Sequence, residues 1–133
     1  MKNLVRKNIA DLQPYSSARN ENMETGNILL DANELPYNEP FNRYPDPFQR
    51  KLKEFMCMKK NIPLEQIFLG NGSDECLDLV VRAFCEPLKE NIVTISPSYG
   101  MYEVIAQINN VEIRKVNLLE NFQLNAKAIL KVA

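Results

Sequence analysis

Short apolar runs alternate with helical stretches in the second half of the chain. The runs at 67–69, 92–95 and 111–118 are strand candidates, and the helical stretches between them end near Cys85 and cover 101–108. Strands that alternate with helices of about ten residues are typical of parallel βαβ units. Parallel sheets are covered by helices on both faces and usually have more than three strands. The sequence therefore predicts an α/β fold with an incomplete parallel sheet.

The first half of the chain has a different pattern. Residues 1–27 contain few apolar positions beyond a possible short helix carrying Leu4 and Ile9, and the prolines between 36 and 47 exclude a continuous helix or a central strand. An amphipathic helix is predicted to begin at or just after Pro47 and to stop at Asn61. We therefore expect an extended N-terminal arm with a proline-rich segment over 1–47 and the beginning of a larger domain over 48–133.

Composition excludes several classes of function. Lys and Arg total 16 and Asp and Glu total 17, giving a net charge of -1, without the basic excess of a non-specific nucleic-acid binder. No apolar run approaches the roughly 20 residues needed to cross a bilayer, and charges interrupt the apolar residues at the start. We expect a cytoplasmic protein that binds neither nucleic acid nor membranes.

The absence of histidine limits the available chemistry. With no histidine and three cysteines that form no CxxC pair, the sequence contains no Ser-His-Asp triad, no Cys-His pair and no recognisable metal site. Any catalysis must use carboxylates, lysine, tyrosine or a cofactor.

Residues 70–75, Gly-Asn-Gly-Ser-Asp-Glu, lie where the first strand candidate passes into a helix. The free N–H groups at such a helix start attract phosphate, and glycine lets a ligand approach the backbone. An ordinary tight turn is the alternative, with Ser73 as the N-cap and the carboxylates of Asp74 and Glu75 complementing the helix dipole. Those two carboxylates would have to be turned aside or offset beside a phosphate.

Tyr99 follows the second strand candidate, at the carboxyl end where open α/β sheets bind ligands. Its ring offers a stacking face and its hydroxyl a hydrogen-bonding group, although such a tyrosine can also serve packing alone. Two further segments, 32–36 and 42–47, look like polar or proline-stiffened turns when each is considered singly.

Six segments in order resemble the histidinol-phosphate aminotransferases, which are fold-type-I enzymes dependent on pyridoxal 5'-phosphate. The segments are QPYSSAR at 13–19, ANELP at 32–36, NRYPDP at 42–47, GSDE at 72–75, RAFCEP at 82–87 and PSYGMY at 97–102. The resemblance covers nearly the whole chain. It implies the incomplete large domain of an aspartate-aminotransferase-like transferase, preceded by an extended arm.

The resemblance also implies roles for individual residues. The helix-start groups of Ser73 and Asp74 would hold the cofactor phosphate, and Tyr99 would stack on the pyridine ring. Some members of the family have alanine in place of Ser73. Tyr44 would reach the phosphate in a neighbouring subunit, which implies a homodimer.

The substrate side of the site is implied in the same way. Tyr15 and Asn33 would lie near the substrate in an amino-group exchange between L-histidinol phosphate and 2-oxoglutarate, which yields glutamate and belongs to histidine biosynthesis.

The Schiff-base lysine of the family has no counterpart among the lysines of this sequence, so we expect these 133 residues alone to be inactive. The family's central strands are also missing, and unpaired buried edges are costly, so the isolated chain is expected to be partly ordered or re-paired. Two alternatives stay open. One is a truncated, non-catalytic product that at most binds phosphate ligands or docks onto an intact subunit, and the other is an unrelated small α/β module.

Overall fold

The structure is a computed structural model that describes residues 4–16, 28, 30, 32–35, 37, 41 and 43–133. The chain divides into two compact units, one formed by 1–12 together with 70–133 and the other by 13–69. We refer to them as the sheet unit and the arm unit and describe each by itself. The boundary between 47 and 48 expected from the sequence remains a prediction about domains.

The described residues form five α-helices, one 3-10 turn and two β-strands. They are α1 (Lys7–Ala10), α2 (Arg50–Lys60), a 3-10 turn (Leu64–Gln66), α3 (Ser73–Phe84), β1 (Asn91–Ser96), α4 (Met101–Ile108), β2 (Glu112–Asn117) and α5 (Ala126–Val132). The helix predicted at 101–108 has the expected bounds. The helix predicted after Pro47 begins at Arg50.

The strands β1 and β2 form a parallel two-stranded sheet. Asn91 pairs with Glu112 and Ser96 with Asn117, with no slip in register between these ends. The predicted strands at 92–95 and 111–118 are therefore confirmed, as is the α/β class.

The predicted strand at 67–69 is wrong. Ile67 has extended backbone angles, with φ of -110° and ψ of 121°. However, within the described residues no strand pairs with this segment. An apolar run becomes a strand only when a neighbour takes up its main-chain hydrogen bonds, and this run has none here.

The core of the sheet unit lies where α4 packs against α3 and against both strands. Val81 of α3, Ile105 and Ala106 of α4 and Val111 before β2 are buried together. An open groove of about 380 Å³ lies beside this core and has a mostly apolar lining that includes Val80, Val93 and Tyr102. These contacts fix the relative positions of α3 and α4, the two helices whose first turns carry the sequence motifs.

Arg6 joins the N-terminal segment to the end of α3. Its main-chain N–H donates to the carbonyl of Ala83 at 3.0 Å, and its Nη1 donates to the carbonyl of Arg82 at 3.0 Å. Its Nε pairs with Glu86 Oε2 at 3.1 Å. The last carbonyls of a helix have no partner within the helix, so Arg6 supplies donors that α3 itself lacks.

Helix α2 of the arm unit ends as its sequence predicts. Asn61 follows the helix in the left-handed conformation, with φ of 53°. Asparagine tolerates this conformation better than most residues, which makes it a common helix terminator.

No helix in the described part of the chain is long and apolar enough to cross a membrane. The same residues contain no group of three potential metal ligands among Cys, Asp and Glu.

Candidate functional site

The start of α3 is built on a tight turn. The N–H of Gly72 donates to the carbonyl of Gly70 at 3.0 Å, and Gly72 itself has φ of 86° and ψ of 173°. Side-chain-bearing residues rarely adopt these angles. Gly72 occupies the N-cap position and Ser73 is the first helical residue, so the interpretation of Ser73 as the N-cap is wrong by one residue.

The first turn of α3 leaves main-chain donors available. The first N–H groups of a helix have no acceptor within the helix. Among the described residues, no side chain caps this end, and none accepts from the N–H groups of Ser73, Asp74 and Glu75. The first turn therefore presents a cluster of N–H donors at the positive end of a 12-residue helix.

Both carboxylates of this turn are engaged elsewhere. Glu75 turns back and accepts a hydrogen bond from the N–H of Asn71. Asp74 accepts a hydrogen bond from the Tyr99 hydroxyl, with 3.3 Å between Tyr99 Oη and Asp74 Oδ2. The sequence carries no signal of the contact between Asp74 and Tyr99, because it spans 25 residues and depends on the packing of α3 against α4.

Tyr99 lies just before α4, at the carboxyl end of β1, as the sequence predicted. The residue is 54% exposed, and its ring meets that of Tyr102 edge to face, with 5.9 Å between the centroids. The Asp74 carboxylate raises the pKa of the Tyr99 phenol, with smaller contributions from burial and from Tyr102. Tyr99 and Asp74 are thus brought together with Ser73, which precedes Asp74 in the first turn of α3.

Within the arm unit, Glu34 joins two of the sequence motifs. Its Oε2 pairs with Arg43 Nη1 at 2.7 Å, and its Oε1 accepts from the N–H of Tyr44 at 2.6 Å. The Glu34 side chain is only 5% exposed. Sequence reasoning missed this role, because a single Glu in a polar turn carries no signal of a partner nine or ten residues away.

The remaining predicted site residues are on the surface of the arm unit. Tyr44 and Tyr15 are 61% and 88% exposed, and Asn33 is also exposed. Residues 17–19 of the first motif and Asn42 of the third lie outside the described residues.

The family model described as "Aminotransferase class I and II" matches residues 15–132. The chain belongs to this aminotransferase family. Members of the family are transferases that use pyridoxal phosphate, and the matched range contains both the start of α3 and Tyr99. The resemblance drawn from the six sequence motifs is confirmed at this level.

The individual proteins to which this chain is similar have more specific names than the family model. The chain is 59% identical over its full length to a histidinol-phosphate aminotransferase of Parabacteroides distasonis. It is 56% identical, over 98% of its length, to one of Bacteroides thetaiotaomicron, and 54% identical, over its full length, to one of Bacteroides fragilis. The chain spans 39%, 38% and 39% of these aminotransferases respectively.

Proposed function

We propose that this aminotransferase chain is the N-terminal part of a histidinol-phosphate aminotransferase. The proposed reaction exchanges an amino group between L-histidinol phosphate and 2-oxoglutarate. Support comes from the names of relatives that are 50–59% identical over nearly the entire chain. Such identity favours this function over a non-catalytic product or an unrelated α/β module.

The observation that carries the proposal is the meeting of two motifs at the start of α3. GSDE supplies main-chain donors and PSYGMY supplies an aromatic ring, and the Asp74–Tyr99 hydrogen bond joins them. A phosphate group needs donors, and a pyridine ring needs a flat partner. These residues provide both the donors and the flat partner, and the hydrogen bond between Asp74 and Tyr99 joins the two.

The first turn of α3 fits the phosphate of pyridoxal phosphate. A helix N-terminus with unpartnered N–H groups is a general anion site. The exposed hydroxyl of Ser73 adds a further donor, and a Cβ placed on Gly72 would meet nothing within 4 Å, which leaves the approach open. The carboxylates of Asp74 and Glu75 are engaged with the Tyr99 hydroxyl and the N–H of Asn71, so neither occupies the N–H groups that a phosphate would need.

Tyr99 fits the ring of the same cofactor. When bound, pyridoxal phosphate supplies an electron sink for breaking bonds at the amino-bearing carbon. The part of this chain is to bind and orient: Ser73 and Asp74 hold the phosphate through main-chain groups, and Tyr99 stacks on the ring. The lysine that attaches the cofactor would come from sequence beyond these residues.

The arm unit contains three further residues of the proposed site. In this proposal Tyr44 reaches the phosphate in the partner subunit of a homodimer, while Tyr15 and Asn33 approach the substrate. The proposed domain boundary separates this arm, 1–47, from the beginning of the cofactor-binding domain, 48–133. The protein would act in the cytoplasm, on small phosphorylated and dicarboxylate metabolites.

A ligand pair tests the phosphate site directly. Pyridoxamine 5'-phosphate and pyridoxamine differ only in the phosphate, and neither carries an aldehyde that could label surface lysines. We expect the natural gene product that carries these residues to bind the phosphorylated compound more tightly, with amide shifts at Ser73 and Asp74 in its NMR spectrum. Equal affinity for the two compounds would contradict the proposal.

Ser73 offers a matched pair of variants. Proline is well tolerated as the first helical residue, so Ser73→Pro removes the N–H while keeping α3, whereas Ser73→Ala removes only the hydroxyl. Ser73→Pro should lower the affinity for pyridoxamine 5'-phosphate about tenfold, as expected for a hydrogen bond to a charged group. Ser73→Ala should have a smaller effect, and neither variant should change pyridoxamine binding.

The reaction itself is tested on the natural gene product that carries these residues. Glutamate formation from L-histidinol phosphate and 2-oxoglutarate is the expected activity. A product that accepts other amino donors but not L-histidinol phosphate would contradict the proposed substrate while leaving the family unchanged.

A further inference from the structure

The two carboxylates in the first turn of α3 have different surroundings. Glu75 is exposed and closes a local turn by accepting from the N–H of Asn71. Asp74 is half-buried, and its Oδ1 has neither solvent contact nor a hydrogen-bond partner among the described residues. Its Oδ2 accepts from Tyr99. Asp74 is thus directed toward the segment before α4.

Tyr99 is held at two points. Its hydroxyl donates to Asp74, and its ring meets the ring of Tyr102 at an interplanar angle of 89°. A tyrosine side chain has only two rotatable bonds before the hydroxyl, so a contact at the tip and another at the ring define its orientation. More than half of Tyr99 nevertheless remains exposed, which leaves room for a ligand against the ring.

We propose that Asp74 is a positioning residue whose carboxylate sets the orientation of the Tyr99 ring. The inference rests on the proposed function in one respect, namely that Tyr99 stacks on the cofactor ring. Asp74 then acts on the cofactor in two separable ways, through its main-chain N–H toward phosphate and through its side chain by way of Tyr99. A buried carboxylate oxygen without a hydrogen-bond donor, such as Asp74 Oδ1, is energetically unfavourable. Orienting the Tyr99 ring would give this unfavourable placement of Asp74 a function.

The phenol of Tyr99 reports this contact without any cofactor. The negative charge of Asp74 is the largest influence on this phenol and raises its pKa, and Tyr102 is the other titratable group that contributes. In the natural gene product that carries these residues, freed of cofactor, NMR of the tyrosine Cζ carbons, assigned with Tyr99→Phe, should show Tyr99 titrating above the ordinary pKa of 10.0. Asp74→Asn should bring the titration midpoint down toward that value. Asp11→Asn, which removes an exposed carboxylate beside α1, should leave the midpoint unchanged.

Ligand affinities distinguish positioning from a direct phosphate role. Asp74→Asn should weaken the binding of pyridoxamine 5'-phosphate and of pyridoxamine by the same factor, about threefold to tenfold for exchanging a charged acceptor for a neutral one, because the ring contact is common to both. If the Asp74 carboxylate instead faced the phosphate, its removal would tighten the phosphorylated ligand alone. That result would overturn the inference.

A double variant separates positioning from general structural support. In a Tyr99→Phe background the hydroxyl is absent, so Asp74→Asn should have no further effect on either affinity. An equal loss in both backgrounds would overturn the inference, as would a Tyr99 titration midpoint that Asp74→Asn leaves unchanged. Failure of the proposed function looks different: the wild-type chain would show no preference for the phosphorylated compound, while the Tyr99 titration would still respond to Asp74.

Discussion

The sheet unit and the arm unit each bring two sequence motifs together through a carboxylate, but they support that contact differently. In the sheet unit, Asp74 meets Tyr99 across two helices that share a core containing Val81 and Ile105. In the arm unit, Glu34 meets Arg43 and the N–H of Tyr44, and no described residue of this unit is fully buried. Packing thus places one motif pair, whereas polar contacts place the other.

This difference predicts where substitutions act. Removing apolar volume should disturb the sheet unit most, because its motif residues depend on how α3 and α4 pack. Removing a single charge should disturb the arm unit most, because little apolar burial compensates for the loss. The variants below test this contrast, beginning with the largest expected effect.

Ile105→Ala should have the largest effect. Ile105 is 3% exposed in the core of the sheet unit, and truncating such a side chain to alanine costs about 2–5 kcal/mol. Hydrogen exchange of the α4 amides should show a loss of protection of this size. Ile108→Ala is the matched control, because Ile108 lies on the same helix and is exposed.

The arm unit provides the other half of this test. Leu52 is half exposed on α2, which has no buried residue, so Leu52→Ala should cost less than about 1 kcal/mol. Equal losses for Ile105→Ala and Leu52→Ala would remove the distinction between the two units.

Gly72→Ala should have the next largest effect. A Cβ at Gly72 meets no atom within 4 Å, so the cost comes from its φ of 86° alone, about 1–3 kcal/mol for an alanine held in this region. Gly100 has equal space but an ordinary φ of -65°, so Gly100→Ala should be neutral or stabilising by up to about 1 kcal/mol. Urea unfolding of the two variants measures the difference, and equal midpoints would show that the turn before α3 is not as described.

The sequence predicted the local structure of the sheet unit better than its contacts. Apolar spacing placed α4 and both strands, because helix and strand periodicities are visible in adjacent residues. The run at 67–69 was assigned to a strand incorrectly, because a strand depends on a neighbour that local sequence does not show. Likewise, the sequence pattern predicts that Ser73 and Asp74 lie at the start of a helix and that Tyr99 follows a strand. The contact between Asp74 and Tyr99, in contrast, depends on tertiary packing.

Glu34→Gln tests the polar support of the arm unit. The change keeps the shape of the side chain but removes the charge that faces Arg43. We expect a cost on the order of 1 kcal/mol, since the Glu34 side chain is only 5% exposed while that of Arg43 is 53% exposed. The Tyr44 amide should exchange faster with solvent. Glu54→Gln, an exposed change on α2, serves as the control, and equal exchange rates in the two variants would show that Glu34 does not hold this motif.

Asp46 should give the smallest effect, and one that depends on pH. Its carboxylate accepts from the N–H groups of Arg50 and Phe48 at 2.9 and 3.0 Å and pairs with the Arg50 guanidinium. The N–H of Arg50 is the main cause that lowers the Asp46 pKa below its ordinary value of 3.8, followed by that of Phe48 and then the guanidinium, while burial opposes the shift.

Because the folded pKa is the lower one, Asp46 stabilises the start of α2 above about pH 4 and loses this contribution as the pH falls through the folded pKa. The pair is partly exposed, so we expect less than about 1 kcal/mol. The amide shifts of Phe48 and Arg50, followed by NMR from about pH 5 to pH 2, should report the loss. Asp46→Asn should remove the pH dependence. A transition that persists in this variant would show that another titratable group, not Asp46, stabilises the start of α2. A clear transition that Asp46→Asn abolishes would sharpen the contrast between polar support in the arm unit and packing in the sheet unit.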